Sequence, residues 1–324
     1  MAIQARAGAE SEIALRAQIT ETSQLAFIDE NFSKLEEMAR GYRTGKTRTP
    51  SGVWHLSLFY SGINDVLDDA RRSPPPVREA AMASHERRAR GWAERYPGSP
   101  AAHIVNGLAL LARAWSHRGS GYAHTVPPEA WAPFHQYVGR ARAYLEEHKA
   151  VAAVDPRWYE AMLAIARAEG WDRDEYDKLL DEALEREPLY YQTYFEALEN
   201  LLPKWHGDVQ EIERFARDAV KRTAAQEGRG MYARIYWFAS QTEFGNELFS
   251  KSRAVWPQMK DGFDDVVARY PDPWNLNNFA KFACLARDKA KTKELLARIG
   301  ADVVREAWQP ALLLQQCAAW SASR

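Results

Sequence analysis

The sequence predicts an all-α protein built as an α-α superhelix of antiparallel helix hairpins. Apolar residues recur three or four positions apart in each segment where a period can be read, which is typical of amphipathic helices. Clusters of proline and glycine separate these segments. A proline that opens a helix pair recurs after 32 residues, from Pro156 to Pro188. This recurrence indicates a repeated hairpin.

Length and charge narrow the class of protein. The 324 residues carry 43 Lys and Arg against 44 Asp and Glu, which gives a formal net charge of −1. This balance argues against a dedicated nucleic-acid binder, because such proteins usually carry a basic domain or stripe. No apolar run approaches the roughly 18 residues that suggest a membrane span. We expect one helical-repeat domain over residues 1–324, with no nucleic acid bound and no membrane span.

The cysteines and the N-terminus bear on the compartment. Cys284 and Cys317 are the two cysteines of the chain, and two thiols make neither a disulfide framework nor a cysteine-rich metal site. Residues 1–8 lack the apolar centre of a secretory signal, because Gln4 and Arg6 interrupt them. The sequence therefore favours the cytoplasm, and export stays open if a signal precedes Met1 in the native protein.

Residues 10–130 are predicted to form a divergent N-terminal helical part. Its elements are helix 10–43 with a break near 21–23, loop 44–52, helix 54–67, proline connector 73–76, charged helix 77–96, helix 101–115 and loop 117–128. The crowded charges between Glu86 and Arg90 are typical of a solvated helix face. A docking patch is the alternative interpretation of that run.

Two short motifs in this part look like ligand sites but lack the required spacing. Gly45-Lys46-Thr47 suggests a phosphate loop, yet position 40 is Arg40 where that motif needs glycine. The three histidines His117, His124 and His135 are seven and eleven residues apart, and no zinc pattern has those separations. We therefore predict no cofactor and no metal site.

Residues 131–300 are predicted to form tetratricopeptide-like helix pairs. Asp155-Pro156 opens one pair and Glu187-Pro188 opens the next, close to the period of about 34 residues in tetratricopeptide repeats. The later predicted elements are helix 231–244, helix 247–270 and a C-terminal capping helix within 301–324.

The clearest pair spans residues 187–223 and is interrupted at Pro203–Gly207. Trp205 is predicted to plug the gap that this enlarged turn leaves. Asp208 is predicted to cap the following helix, because an aspartate at that position accepts hydrogen bonds from free backbone amides. His206 titrates near neutral pH and could serve as a general base, but no partner stands at a useful spacing.

Three segments carry a resemblance to known proteins. They are GVWHLSLFY at 52–60, LLPKWHGD at 201–208 and NNFAKFACLARDK at 277–289. On these segments the chain resembles a bacterial group of tetratricopeptide-like proteins that are described as domains of unknown function, over about residues 24–300. The resemblance implies an array of α-helical hairpins and transfers no catalytic residues.

Aromatic residues are the candidate anchors for a partner. Stacked helix pairs create a concave surface, and aromatic side chains supply contact area at low entropic cost. The alternative is that these rings pack between repeats as core. The candidate partner-binding residues are Trp158, Tyr190, Tyr194, Trp205, His206, Tyr236 and Trp237.

The predicted function is a non-catalytic scaffold that binds a protein or peptide through that concave surface. The alternative is an all-helical toroid enzyme with an aromatic-lined cleft, in which paired carboxylates cleave a carbohydrate. The acidic residues of 172–177, next to Trp171, could supply the carboxylates. Acidic residues are also typical of the first turn of a helix, where the helix dipole stabilises them.

Overall fold

The protein is all-α, as predicted. The computed structural model describes residues 11–119, 121–205 and 207–323, and about 80 % of them are helical. Over these ranges the only extended pairing is an isolated antiparallel bridge between Arg48 and Trp54. None of the described helices is both long enough and apolar enough to cross a membrane.

The chain divides into two compact units, where the sequence predicted one continuous array. Unit 1 comprises the described residues up to Thr49 together with Val53–Thr193, and unit 2 comprises Pro50–Gly52 together with the described residues from Tyr194 onward. The boundaries predicted at residues 130 and 300 do not coincide with this division. The division falls instead within the helix Tyr191–Leu201.

Unit 1 consists of helices joined by short turns. They are α1 (Glu12–Ile28), α2 (Phe32–Gly45), α3 (His55–Arg72), α4 (Pro75–Arg95), α5 (Pro100–Arg118), α6 (Pro128–Glu147), α7 (Lys149–Ala152), α8 (Pro156–Glu169), α9 (Arg173–Arg186) and the start of α10 (Tyr191–Leu201). The predicted break near 21–23 is wrong, because α1 runs through it. The chain turns at Glu30 instead, whose φ of 55° lies in the left-handed region.

Helix α5 is the centre of unit 1. It is buried on nearly all of its faces, as expected for a helix that is apolar all round, and it packs against α3, α4, α6 and α8. Gly107 allows α6 to approach closely, since a β-carbon there would lie 2.6 Å from the side chain of Leu145. The two helices that flank α5, namely α4 and α6, form the walls of the candidate site below.

Helices α4 and α6 both run antiparallel to α5. The start of α4 meets the end of α5, where Arg78 Nη1 donates to the Ser116 carbonyl at 3.0 Å. The end of α5 meets the start of α6, where the rings of Trp115 and Phe134 have centroids 5.0 Å apart. Helices α4 and α6 therefore run in the same direction on either side of α5.

Unit 2 contains the end of α10 and seven further helices with several irregular turns. They are α11 (Val209–Glu227), α12 (Gly230–Ala239), α13 (Leu248–Lys251), α14 (Trp256–Arg269), α15 (Pro273–Leu285), α16 (Lys289–Ile299) and α17 (Leu313–Ala322). The predicted helix 247–270 is divided at 252–255. The predicted capping helix is shorter than expected and begins only at Leu313.

The two cysteines of the chain form a disulfide. Cys284 of α15 and Cys317 of α17 are bonded, with Cα atoms 5.8 Å apart and a sequence separation of 33. The bond encloses α16 and ties the last helix of unit 2 to α15. Two cysteines are too few for a disulfide framework, but their bond fixes the C-terminal helix α17 to α15.

Candidate functional site

Most of the predicted anchors are core residues in this structure. Trp158, Tyr190, Tyr194 and Tyr236 are at most 2 % exposed, and Trp237 is 8 % exposed. A ring that is buried to this extent offers almost no contact area to a partner. The alternative interpretation, that these rings pack as core, fits their positions.

The polar atoms of two of these rings are already engaged. Trp158 Nε1 donates to the carbonyl of Leu145 at 2.9 Å in unit 1, and the Tyr236 hydroxyl donates to Glu213 Oε2 at 2.6 Å in unit 2. Tyr190 packs edge to face against Trp54, with centroids 5.5 Å apart. Such contacts fix the packing of helices.

The enlarged turn between α10 and α11 is described only in part. Trp205 is half-buried and ends a single turn of 3₁₀-helix, Pro203–Trp205, so its role as a plug remains a hypothesis. His206 lies outside the described residues. Asp208 does cap α11, since its carboxylate accepts from the backbone amides of Gln210 and Glu211 at 2.7 and 2.8 Å.

The acidic run 172–177 behaves as a helix start. Asp172 caps α9 by accepting from the backbone amide of Glu175 at 2.9 Å. Asp177 lies 2.7 Å from Arg173 Nε in an exposed ion pair one turn along the helix. These carboxylates stabilise the N-terminus of α9, and nothing in their positions supports the carbohydrate-cleaving alternative.

A cavity of about 640 Å³ opens between α4, α5 and α6 of unit 1, within the usual range of ligand pockets. We call it the α4–α6 groove. Helix α4 lines it with Glu86, Arg90, Ala93 and Glu94, followed by Pro97; α5 contributes His103, Asn106 and Leu110; α6 contributes Arg140, Ala143, Tyr144 and Glu147, followed by His148.

The groove is lined this way because of helical spacing. Glu86, Arg90 and Glu94 are four residues apart and therefore share one face of α4. On α6, Arg140, Tyr144 and Glu147 share a face for the same reason. Since α4 and α6 run in the same direction, Arg140 lies towards the Glu86 end of the groove and Glu147 lies towards the Glu94 end.

The floor of the groove is polar. His103 is 4 % exposed, and its Nε2 lies 2.9 Å from the Pro97 carbonyl. A carbonyl can only accept, so Nε2 carries the proton and Nδ1, at 2.8 Å, accepts from the Tyr144 hydroxyl. Asn106 hydrogen-bonds to the same hydroxyl. These bonds hold the tautomer of His103 and the ring of Tyr144.

A second imidazole stacks on this floor. The His148 ring lies 4.1 Å from that of His103 and 4.3 Å from that of Tyr144, centroid to centroid. Its Nδ1 donates to the Tyr144 carbonyl at 2.9 Å. Burial lowers the pKa of His103. The hydrogen bond to the Pro97 carbonyl opposes this shift, and the neighbouring His148 adds to it. Burial also raises the pKa of Tyr144, so His103 and Tyr144 are both neutral at pH 7.

The charges of the groove separate towards its two ends. Burial raises the pKa of Glu86, although Arg113 and Arg140 oppose this shift, and Glu86 Oε1 lies 3.6 Å from Arg113 Nε. Glu94 at the other end lies 3.8 Å from Arg90. Arg140 forms no ion pair within 4 Å with a described residue, and its charge acts on Glu86 from a greater distance.

An unbalanced anion remains at the opposite end, on Glu147. Arg140 and Glu147 are both exposed, and neither forms an ion pair with any other residue that the structure describes. Arg140 instead lies over the ring of Tyr137, with 4.7 Å from Cζ to the centroid. The groove thus has an exposed guanidinium at Arg140, neutral groups in the middle and an exposed carboxylate at Glu147.

Comparison with known proteins leaves the family open. The chain matches no model of a protein family, no curated protein and no solved structure. The resemblance to tetratricopeptide-like domains of unknown function therefore stays a prediction.

The arrangement in the groove suits recognition better than proton transfer. Both ring nitrogens of His103 are already bonded, to Pro97 and to Tyr144, so this imidazole is a positioning group for Tyr144 and is not available as a base. The described lining contains one tyrosine and no tryptophan. The groove therefore lacks the aromatic lining expected for the carbohydrate-cleaving alternative.

Sequence reasoning missed the groove, although a signal was present. The charged run around Glu86 and Arg90 was interpreted as a solvated face, with docking as the alternative. Two of its charges line the groove, while Arg87 between them is exposed elsewhere on the helix. The polar residues of α6 recur at positions 140, 144 and 147 with the same helical spacing. Two polar stripes on helices that flank one apolar helix would have indicated a polar cleft.

A buried carboxylate in unit 1 was also missed. Asp155, predicted only as a helix opener, is fully buried; it accepts from the Tyr60 hydroxyl at 2.9 Å and from the Arg157 amide at 3.0 Å. Burial raises its pKa to about 6. The two hydrogen bonds and the charges of Arg43 and Arg157 lower the pKa and so oppose this shift. It caps α8 and joins α3 to α8, so we assign it a structural role.

Proposed function

We propose that this chain is a polypeptide-binding scaffold without chemistry of its own, and that the ligand lies in the α4–α6 groove. The observation that carries the proposal is the order of groups along the groove. An unpaired guanidinium at Arg140, neutral hydrogen-bonding groups at Asn106 and Tyr144, and an unpaired carboxylate at Glu147 follow one another. Polypeptides present charged groups of both signs separated by amides, which these groups complement.

The groove also combines a rigid base with accessible walls. His103 and Asn106 are buried and held by hydrogen bonds, whereas Arg140, Ala143 and Glu147 are exposed. A preorganised base reduces the entropy that binding must overcome. Exposed charges at the rim set the orientation of a ligand and the rate of its association.

The repeat architecture belongs to the same proposal. Successive helices pack as pairs, with α8 against α9 in unit 1 and α15 against α16 in unit 2. These pairs favour a tetratricopeptide-like array as the architecture of the scaffold. A superhelical arrangement of such pairs would extend the binding surface.

We further propose an oxidising compartment in place of the cytoplasm that the sequence favoured. The support is the bond between Cys284 and Cys317, because disulfides persist mainly outside reducing compartments. Alkylation of thiols in the protein taken directly from its native cells, followed by mass spectrometry, tests this. If both cysteines were alkylated before reduction, the thiols would be free in the native cells, and this result would support the cytoplasm.

Selection of peptides from a random display library on the immobilised chain tests the binding function. Enriched peptides should lose most of their binding to the double variant Arg140→Glu, Glu147→Lys. They should keep it on Arg87→Glu, Glu185→Lys, which reverses the same charges at exposed positions outside the groove. Failure to enrich any peptide, or equal binding to both double variants, would refute the proposal.

A further inference from the structure

We infer that the α4–α6 groove takes a short peptide with both termini free, with its ammonium group at Glu147 and its carboxylate at Arg140. This inference rests on the proposed function and specifies the ligand class of the same site. It follows from the separation of the two charged ends and from the neutral stretch between them.

The separation of the charged ends sets the length of the peptide. Arg140 and Glu147 are seven residues apart on α6, which corresponds to about 10 Å along the helix axis. An extended chain advances about 3.4 Å per residue, so roughly three residues span this distance. Both side chains are long, and a fourth residue can be accommodated by their reorientation.

The stretch between the charged ends suits a peptide backbone. Tyr144, Asn106 and His148 line it. The Tyr144 proton is donated to His103, so the hydroxyl oxygen and the Asn106 amide oxygen can accept from a ligand, and Tyr144 stays neutral through its raised pKa. Backbone amides are neutral and carry one donor and one acceptor each. A ligand with charges along its middle would find no opposite partner there, apart from the Arg90–Glu94 pair that is already balanced.

The exposed charges at the two ends of the groove favour a free peptide over an internal segment of a long chain. An internal segment has no terminal ammonium or carboxylate to place at Glu147 and Arg140. A free peptide places one charge at each unpaired side chain.

Isothermal titration calorimetry with three probes tests the inference. The probes are trialanine, N-acetyl-trialanine and trialanine amide, measured on the full chain and on Glu147→Gln and Arg140→Gln. Trialanine should bind saturably, and acetylation should weaken its binding about tenfold on the wild-type chain, as the loss of one charge contact of about 1.4 kcal/mol implies. On Glu147→Gln acetylation should have little further effect, and amidation should likewise have little further effect on Arg140→Gln.

Matched variants control for changes in folding. Glu185→Gln and Arg87→Gln remove the same charges from exposed positions outside the groove, and they should respond to the three probes as the wild-type chain does. Melting midpoints within a degree of one another would show that all four variants are folded.

The outcomes separate this inference from the proposed function. If trialanine does not bind, or binds no better than its acetylated form, while library peptides bind in a manner that depends on Arg140 and Glu147, the inference is wrong and the proposed function stands. If neither trialanine nor any library peptide binds, both are wrong.

Discussion

The imidazole rings of His103 and His148 stack with 4.1 Å between their centroids and 26° between their planes. The two rings come from the beginning of α5 and the residue after α6, so their contact joins the two helices at the acidic end of the groove. Two imidazolium cations at this distance would repel each other. The stack therefore depends on at least one ring staying neutral.

The first prediction concerns the titration of this stack. His103 should titrate below its ordinary value of 6.5, mainly through burial and partly through His148. The folded chain then binds fewer protons here than the unfolded chain, so stability falls as pH drops below about 6.5. Histidine-selective NMR titration measures this. In His148→Gln the pKa of His103 should rise towards 6.5, and an unchanged value would mean that His148 has no influence.

The second prediction concerns Asp155, whose folded pKa of about 6 lies above the ordinary aspartate value of 3.8. The folded chain binds more protons here than the unfolded chain between these values, so this group adds stability as pH falls from about 6 to 4. The gain should approach about 3 kcal/mol. Urea denaturation at a series of pH values, compared with Asp155→Asn, measures it.

The contrast with an exposed cap provides the control for Asp155. Backbone hydrogen bonds from α11 lower the pKa of Asp208, so its contribution is lost as pH falls. The difference between wild-type chain and Asp208→Asn should therefore change with pH in the opposite direction. If Asp155→Asn gave a pH profile parallel to that of the wild-type chain, Asp155 would have the same pKa in the folded and unfolded chains, which would contradict the prediction.

The third prediction concerns the disulfide. Replacing Cys284 and Cys317 with serine should lower the free energy of unfolding by up to about 4 kcal/mol, the chain-entropy estimate for a loop of this length. Guanidinium denaturation measures the change. Reductant should destabilise the wild-type chain and leave the serine variant unaffected. Equal stability of the two proteins under oxidising conditions would show that the bond contributes nothing.

The fourth prediction compares two glycines near the groove. Gly107→Ala should destabilise the chain by about 1–3 kcal/mol, because its β-carbon would overlap the side chain of buried Leu145. Gly139→Ala, on α6 with no atom within 4 Å of the new β-carbon, should stabilise by about 0.5–1 kcal/mol, since alanine favours a helix. Thermal melts of both variants decide it, and equal shifts would contradict the close packing of α5 and α6.

Local features of the fold could be predicted from the sequence. The helical class follows from apolar spacing, and the caps at Asp172 and Asp208 follow from aspartate before a helical run. The break at Glu30 could not be predicted in the same way, because a non-glycine residue with positive φ has no clear sequence signal. Pairing of Cys284 with Cys317 depends on the packing of α17 against α15, which is a long-range property.

The candidate site was harder to predict, for a physical reason. An aromatic ring serves equally well as core or as binding surface, and burial of Tyr190 or Tyr236 is decided by neighbouring helices that the local pattern does not specify. The groove requires the register of three helices, because only their packing brings Arg140, Asn106 and Glu94 to one cavity. Helical spacing predicts which residues share a face, but not which faces meet.

The central claim is that a polypeptide occupies the α4–α6 groove, and filling the groove tests it most directly. Ala143 is exposed and lines the groove, whereas Ala132 is exposed on the same helix outside it. We predict that a peptide enriched on the wild-type chain binds Ala143→Trp at least about tenfold more weakly in a fluorescence polarisation titration, and binds Ala132→Trp with unchanged affinity. Unchanged affinity for a folded Ala143→Trp would contradict the claim.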